Sequence, residues 1–466
     1  MSSQVRAPRA QPTGSATRQS PLEVEVVDLA GLGDGVARLP SGEAVLIPLA
    51  VPGDRVQISA PSRRQGVLRA QIVKLLTASP DRVSPPCPVA DRCGGCGLQH
   101  VMPARQRRFR AGLAERALQP LTLAADADAA LAGLGGGAPL AWRRRARLHL
   151  RRQGGQLRVG LMAARSAELV ALERCPQLVA GLDAWLPRLR AFAAPFVEEG
   201  ELLMTLGDGG ALLALHVRLR SGAPAPSVAA LEGFLAETPP DGGAPIVGLQ
   251  VQAPGLALSV GAVRVALKDE GDATTEWAAA GGFCQASVEG NIAIRAAVRA
   301  GLRELVRRRG RPFALGLDLF SGSGNLTPLL LDVAGRVRSV ELDIAAVERA
   351  EALHGAVLGA GRDAGQLELT QGDAESLPLP GGGDTLWLLD PGRQGAKGVC
   401  EQAAWRQPAG LVYVSCAPNT LRRDLQTLAA AGYRRVSASW VDTMPHTHHF
   451  EVVVAMIRAD AAFDRS

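Results

Sequence analysis

Cys416 stands in Val414-Ser415-Cys416-Ala417-Pro418-Asn419-Thr420, just past an apolar run that reads as a strand. A thiol at a strand end can attack as a nucleophile, provided its surroundings favour the thiolate. Asp390 opens the loop Asp390-Pro391-Gly392-Arg393-Gln394-Gly395 after another apolar run. Glu451 closes Met444-Pro445-His446-Thr447-His448-His449-Phe450-Glu451 and can serve as a general base. The three histidines there also invite a metal reading, without any further ligand pattern to support it.

The chain has 7 cysteines. Cys87, Cys93 and Cys96 crowd into Cys87-Pro-Val-Ala-Asp-Arg-Cys93-Gly-Gly-Cys96, a spacing that lets thiolates converge. A fourth ligand is needed, and Cys175 in Glu173-Arg174-Cys175-Pro176 is the best remaining choice. Four sulfurs suit zinc or a [4Fe–4S] cluster equally. Cys284 and Cys400 read as small buried side chains.

Residues 318–325, Asp-Leu-Phe-Ser-Gly-Ser-Gly-Asn, make a glycine-rich turn between a strand and a helix, where a ligand can approach the backbone. Glu341 ends the next strand, where a carboxylate can hold a ribose diol, and Asp373 ends the one after, beside an adenine. Carboxylates at successive strand ends point to a nucleoside cofactor. A dinucleotide-binding oxidoreductase is the other reading, but the turn lacks the GxGxxG form.

These residues need a scaffold. From residue 285 onward strands and helices alternate, which predicts an α/β domain with a mostly parallel sheet and an antiparallel last pair, as in Rossmann-like sheets. Residues 21–76 alternate short apolar runs with Gly and Pro turns, which predicts a small β-barrel, SH3-like or OB-like. Residues 77–284 hold the cysteines and a β-rich region, with a variable insertion near 111–140. Residues 1–20 read as a flexible basic tail. With 47% hydrophobic and 21% charged residues, global disorder is excluded. The net charge of +6 is mild, but its distribution is not even. Arg143, Arg144, Arg145, Arg147, Arg151 and Arg152, flanked by Trp142 and His149, suggest a surface for a polyanion, as do Arg105, Arg107, Arg108 and Arg110. No apolar run is long enough for a bilayer, no signal peptide is evident, and the odd cysteine count argues against a disulfide framework. A reducing cytoplasm is the expected setting, with no membrane and no obligate protein partner.

Taken together, residues 21–458 resemble the S-adenosylmethionine-dependent RNA 5-methyluridine methyltransferases, especially the bacterial 23S ribosomal RNA branch. The residues that carry the resemblance are Gly-Asp-Gly-Val-Ala-Arg at 33–38, Pro-Gly-Asp-Arg-Val at 52–56, the cysteine group, the turn at 318–325 and the Ser415-Cys416 segment. The resemblance implies an N-terminal TRAM barrel, a central RNA-binding region and a methyltransferase domain over residues 285–466. It implies a [4Fe–4S] cluster on Cys87, Cys93, Cys96 and Cys175. It places S-adenosylmethionine on Gln285, Phe320, Asn325, Glu341, Asp373 and Asp390, with Cys416 as nucleophile, Glu451 as base and Asp390 on the uracil edge. Cys416 would attack C6 of a flipped uridine so that C5 accepts the methyl group. The sequence departs from the family at Cys284, Ser287, Ser321, Gly392 and Ala417. An RNA-binding relative without turnover, and an RNA methyltransferase acting on an amino group, are the competing readings.

Overall fold

The computed structural model describes residues 22–459, apart from 136, 272–273 and 359–365; the side chains of 356–358 are also left undescribed. The tail expected over residues 1–20 lies outside the described residues. The chain divides into two compact units, residues 1–82 and 83–466.

In the first unit seven short strands form one curled sheet. Leu22–Leu29 lies near its middle, pairing antiparallel with Gly35–Arg38 on one side and Arg55–Ile58 on the other. An irregular register between Val26 and Asp28 bends it, the usual effect of an extra residue in a ladder. Alternation along each strand turns Val24, Val26, Val45, Ile47, Val56 and Ile58 inward, which forms this unit's core. The small β-barrel expected here is present as a curled half-barrel whose two edge strands, among the described residues, do not pair with each other. Asp54 pins the chain crossing beneath it, accepting from the Val51 amide at 2.6 Å, the Ser79 amide at 2.9 Å and Arg82 Nη2 at 2.6 Å.

The second unit holds two large sheets. In the first, Arg145–Gln153 is paired with Gln156–Met162 and with Val197–Gly207, and the sheet continues through Gly210–Leu219 and Ile246–Ala253. Its apolar face meets the helices Leu186–Ala193 and Val228–Leu235, with Trp185 edge-on to Phe234 at 5.6 Å.

The other sheet has eight strands. Leu367–Gln371, Ala334–Glu341, Phe313–Leu319, Thr385–Leu389 and Gly410–Ser415 run parallel, in that spatial order. Glu451–Arg458 then enters antiparallel, followed by Tyr433–Asp442, which is the antiparallel ending expected of a Rossmann-like methyltransferase sheet. Both faces are covered, so the middle strands are apolar throughout; all five residues of Thr385–Leu389 are buried.

The segment expected as a variable insertion is partly structural. The helix Pro103–Leu118 buries Ala114, Ala117 and Leu118 in the core of this sheet. Leu131–Gly135 extends the sheet beside Tyr433–Asp442. Its Leu-Ala-Gly-Leu-Gly pattern is too poor in β-branched residues to announce a strand. Gly133 is needed for the fit: a Cβ there would lie 2.9 Å from the Trp440 indole nitrogen. Among the described residues, no helix is long and apolar enough to cross a membrane.

Candidate active site and thiol cavity

The parallel strands end along one edge, and the turn after Phe313–Leu319 begins with Phe320 at φ 61°. Gly322 and Gly324 follow at φ 56° and 86°. A Cβ on Gly324 would stand 2.7 Å from His354 Nε2, so glycine is required there for space as well as conformation. Glu341 closes the turn: its Oε2 accepts from the Gly322 amide at 2.9 Å and its Oε1 from the Asp343 amide at 2.8 Å. Asp318 is buried on the strand itself and accepts from Thr327 Oγ1 at 2.6 Å. Burial, then the charge of Glu341, pushes its carboxyl up to about 7. Asp373 is half-buried and accepts from Ser376 Oγ at 2.7 Å and the Glu375 amide at 3.0 Å.

Asn325 is fixed from two sides. Its amide exchanges two hydrogen bonds with Asn291, at 2.7 and 3.1 Å, and Arg295 donates to its carbonyl. Asn291 also donates to Asp269 at 2.7 Å. Asp269 receives both guanidinium nitrogens of Arg144, one at 2.8 Å, and Arg144 Nε donates to the Gln285 carbonyl at 2.9 Å. One buried relay thus joins Arg145–Gln153, Gln285 and the cofactor turn. The sequence does not mark Asp269, and it places Arg144 in a surface for a polyanion. They lie far from the turn in the chain, and Arg144 sits inside a run of arginines that reads as surface.

That run divides once folded. Arg144 is 3% exposed and committed to the relay. Arg145 donates to the Gly282 carbonyl at 2.9 Å, and Arg152 to the Val197 carbonyl at 2.9 Å. Arg147 points outward, with Glu201 3.7 Å away. The polyanion surface expected there is therefore narrower than the sequence suggests.

The second half of the site comes from three strand ends. Asp390 follows Thr385–Leu389, Cys416 follows Gly410–Ser415, and Glu451 opens Glu451–Arg458. Ser415 pairs with Val452 in the antiparallel ladder, so Cys416 and Glu451 occupy the next step of the same register. Burial, then Glu451 and Asp390, pushes the Cys416 thiol up to about 12, while Arg393 acts against this. Burial, then Asp390, raises Glu451 well above the usual carboxyl range, and Arg393 again opposes. Asp390 is pushed to about 7 by burial and by Asp318 and Glu276. The structure therefore brings Cys416, Asp390 and Glu451 into one electrostatic group, with Arg393 as its cation. The three histidines do not form a metal site: His446 is bonded to Gln106, 3.1 Å from Nδ1, and the rings of His448 and His449 pack at 4.0 Å.

Cys87, Cys93, Cys96 and Cys175 line a single cavity of about 240 Å³, together with Arg143 and Arg393. Of the glycines between the thiols, Gly94 is needed for space because it faces backbone. A Cβ on Gly94 would lie 2.7 Å from the Met162 carbonyl, and one on Gly95 2.7 Å from Leu161 Cδ1. Cys175 is anchored by its amide on Asp183 at 2.6 Å. Burial raises the thiols of Cys93 and Cys175, and pushes Cys96 up to about 12. A four-thiol lining suits an iron–sulfur cluster chemically. Among the described residues, however, no three Cys, His, Asp or Glu side chains are grouped tightly enough for one metal ion.

No protein-family model matches the chain. The 23S rRNA (uracil(1939)-C(5))-methyltransferase RlmD of Salmonella typhimurium is 31% identical over 459 residues, covering 95% of this chain and 97% of that protein. The enzyme of the same name from Cronobacter sakazakii is 33% identical over 445 residues, covering 93% and 96%. Among solved structures, the Pyrococcus abyssi tRNA (uracil-54, C5)-methyltransferase in complex with S-adenosyl-L-homocysteine superposes with a TM-score of 0.68 at 18% identity. The match covers 94% of this chain and all of the other, which shows a common fold.

Proposed function

The chain belongs to the family of RNA uracil-C5 methyltransferases, and on that premise we propose that it methylates a uridine of 23S ribosomal RNA through a covalent Cys416 intermediate. The activity is S-adenosylmethionine-dependent methylation of uridine C5 in RNA. The observation that carries the residue assignment is the shared register step of Cys416 and Glu451, with Asp390 acting on both.

Uracil C5 is a weak nucleophile. Attack of the Cys416 thiolate on C6 breaks the C5–C6 double bond and leaves electron density on C5. When bound at the turn, S-adenosylmethionine supplies an electrophilic methyl group. Gln285, Phe320, Asn325, Glu341, Asp373 and Asp390 are the residues we assign to hold it. Glu451 then takes the C5 proton, the C5–C6 double bond re-forms, and the Cys416–C6 bond breaks. The raised thiol means that the free protein keeps Cys416 protonated, and Arg393 is the cation best placed to favour the thiolate. The uridine leaves its stack to reach Cys416.

We also assign Cys87, Cys93, Cys96 and Cys175 to a [4Fe–4S] cluster, on the strength of their common cavity. Methyl transfer requires no electron from it, so its role is structural. The TRAM-like unit and Arg147 are assigned to RNA phosphates. Incubating the protein with a 23S rRNA transcript and a methyl-labelled donor tests the function. Labelled 5-methyluridine is the expected product; label on an exocyclic nitrogen, or none with cluster-loaded protein, would overturn it.

A further inference from the structure

Glu276 opens the short strand Glu276–Ala279, outside the parallel strand ends where the other cofactor carboxylates stand. It is 3% exposed. Its Oε1 accepts from the hydroxyl of Ser323, in the middle of the cofactor turn, and its Oε2 has no hydrogen-bond partner. The charged groups acting on it are Arg144, Asp269 and Arg349, and Arg144 is already committed in bidentate form to Asp269. A carboxylate buried with one oxygen unsatisfied is costly unless a cation or donor completes it.

The methyl donor carries two positive groups, the sulfonium and the α-ammonium of its methionine end. The sulfonium must face the uridine, and Asp390 is the acid whose charge reaches both Cys416 and Glu451. Glu276 is held against Ser323 of the turn, and its charge acts on Asp390. We infer that Glu276 receives the α-ammonium of the methyl donor through its free Oε2, with Ser323 orienting the carboxylate. The inference rests on the reading that the donor occupies the turn at residues 321–325. It adds a binding residue outside the strand-end set, contributed by the region preceding the methyltransferase sheet.

Calorimetric titration of the full chain with S-adenosylhomocysteine and with 5′-methylthioadenosine tests it. The second ligand keeps the nucleoside and thioether but lacks the amino-acid end. Glu276→Gln should weaken S-adenosylhomocysteine by about tenfold to a hundredfold, the worth of a charge-assisted hydrogen bond. It should leave methylthioadenosine unchanged, and S-adenosylmethionine should lose as much as its demethylated product. Glu276→Asp, which keeps the charge, should fall between wild type and Glu276→Gln for S-adenosylhomocysteine. Unchanged affinity for S-adenosylhomocysteine would overturn the inference while leaving the donor site in place. Equal losses for both ligands would reduce Glu276 to a support of the turn, and a loss for S-adenosylmethionine alone would reassign it to the sulfonium. A wild-type chain that binds none of the three would overturn the reading of the turn itself, and the inference with it.

Discussion

Cys416 and Glu451 leave adjacent antiparallel strands at the same register step, one beyond the Ser415–Val452 pair. The strand ladder thus brings Glu451, the first residue of its strand, beside Cys416, the residue just past the end of its own. Burial, then the charges of Glu451 and Asp390, disfavours ionisation of Cys416, and the thiol stands at about 12 in the free protein. Below that value the thiol is the dominant form, so alkylation of Cys416 should be slow at neutral pH and rise as pH approaches 12. Glu451→Gln removes one of the charges that raise it, so the alkylated fraction at pH 9, read by peptide mass spectrometry, should increase. A slower rate in the variant would contradict the pairing.

Asp269→Ala should be more damaging than its distance from the reacting residues suggests. It leaves Arg144 buried without its bidentate partner and cuts the link to Asn291 and Asn325. Breaking a buried pair from one side costs about 3–5 kcal/mol. Denaturant unfolding should show a loss of that order, and S-adenosylhomocysteine binding should weaken in the protein that remains folded.

Protein prepared without oxygen should carry about four iron and four sulfide per chain, the composition of one [4Fe–4S] cluster. Cys96→Ser should lose most of it, whereas Cys400→Ser should keep it, since Cys400 is buried in the core of the methyltransferase sheet. Iron and acid-labile sulfide analysis decides this; stoichiometric zinc without sulfide would contradict it.

Asp54 should make the N-terminal unit acid-sensitive. Burial alone would raise its carboxyl, but the Arg82 hydrogen bond and the Ser79 and Val51 amides outweigh this and hold it below 3.8. Its contribution to stability is complete above that value and is lost as pH falls through the lower folded value. Asp54→Asn should flatten the acid limb of the unfolding profile of this unit, followed by amide exchange of Val56 and Ile58.

The parallel sheet and the turn at residues 318–325 were legible because apolar strands stop there and polar or glycine-rich segments begin; Cys416 stands just past such a strand end, whereas Glu451 opens its strand. The strand Leu131–Gly135 was not, because two of its five residues are glycine and its face is set by Trp440 rather than by its own pattern. The arginine run was misleading for a related reason. Strand alternation sends Arg144 inward and Arg147 outward, and only the partner Asp269, far along the chain, shows that a charge can be buried there. Ser287, where the family has another residue, is explained by the fold: its hydroxyl caps the helix Val288–Arg309 by accepting from the Gly290 amide at 3.0 Å.

In the proposed reaction Cys416 forms the bond to C6, and proton removal by Glu451 lets that bond break. Denaturing gels of cluster-loaded protein with labelled RNA and a labelled methyl donor test both halves together. Cys416→Ala should give neither methyl transfer nor a protein–RNA adduct, since no thiolate attacks. Glu451→Gln should accumulate an adduct carrying the methyl label, because the C5 proton leaves slowly. Formation of 5-methyluridine by Cys416→Ala would rule out covalent attack, and wild-type turnover by Glu451→Gln with no trapped adduct would rule out Glu451 as the base.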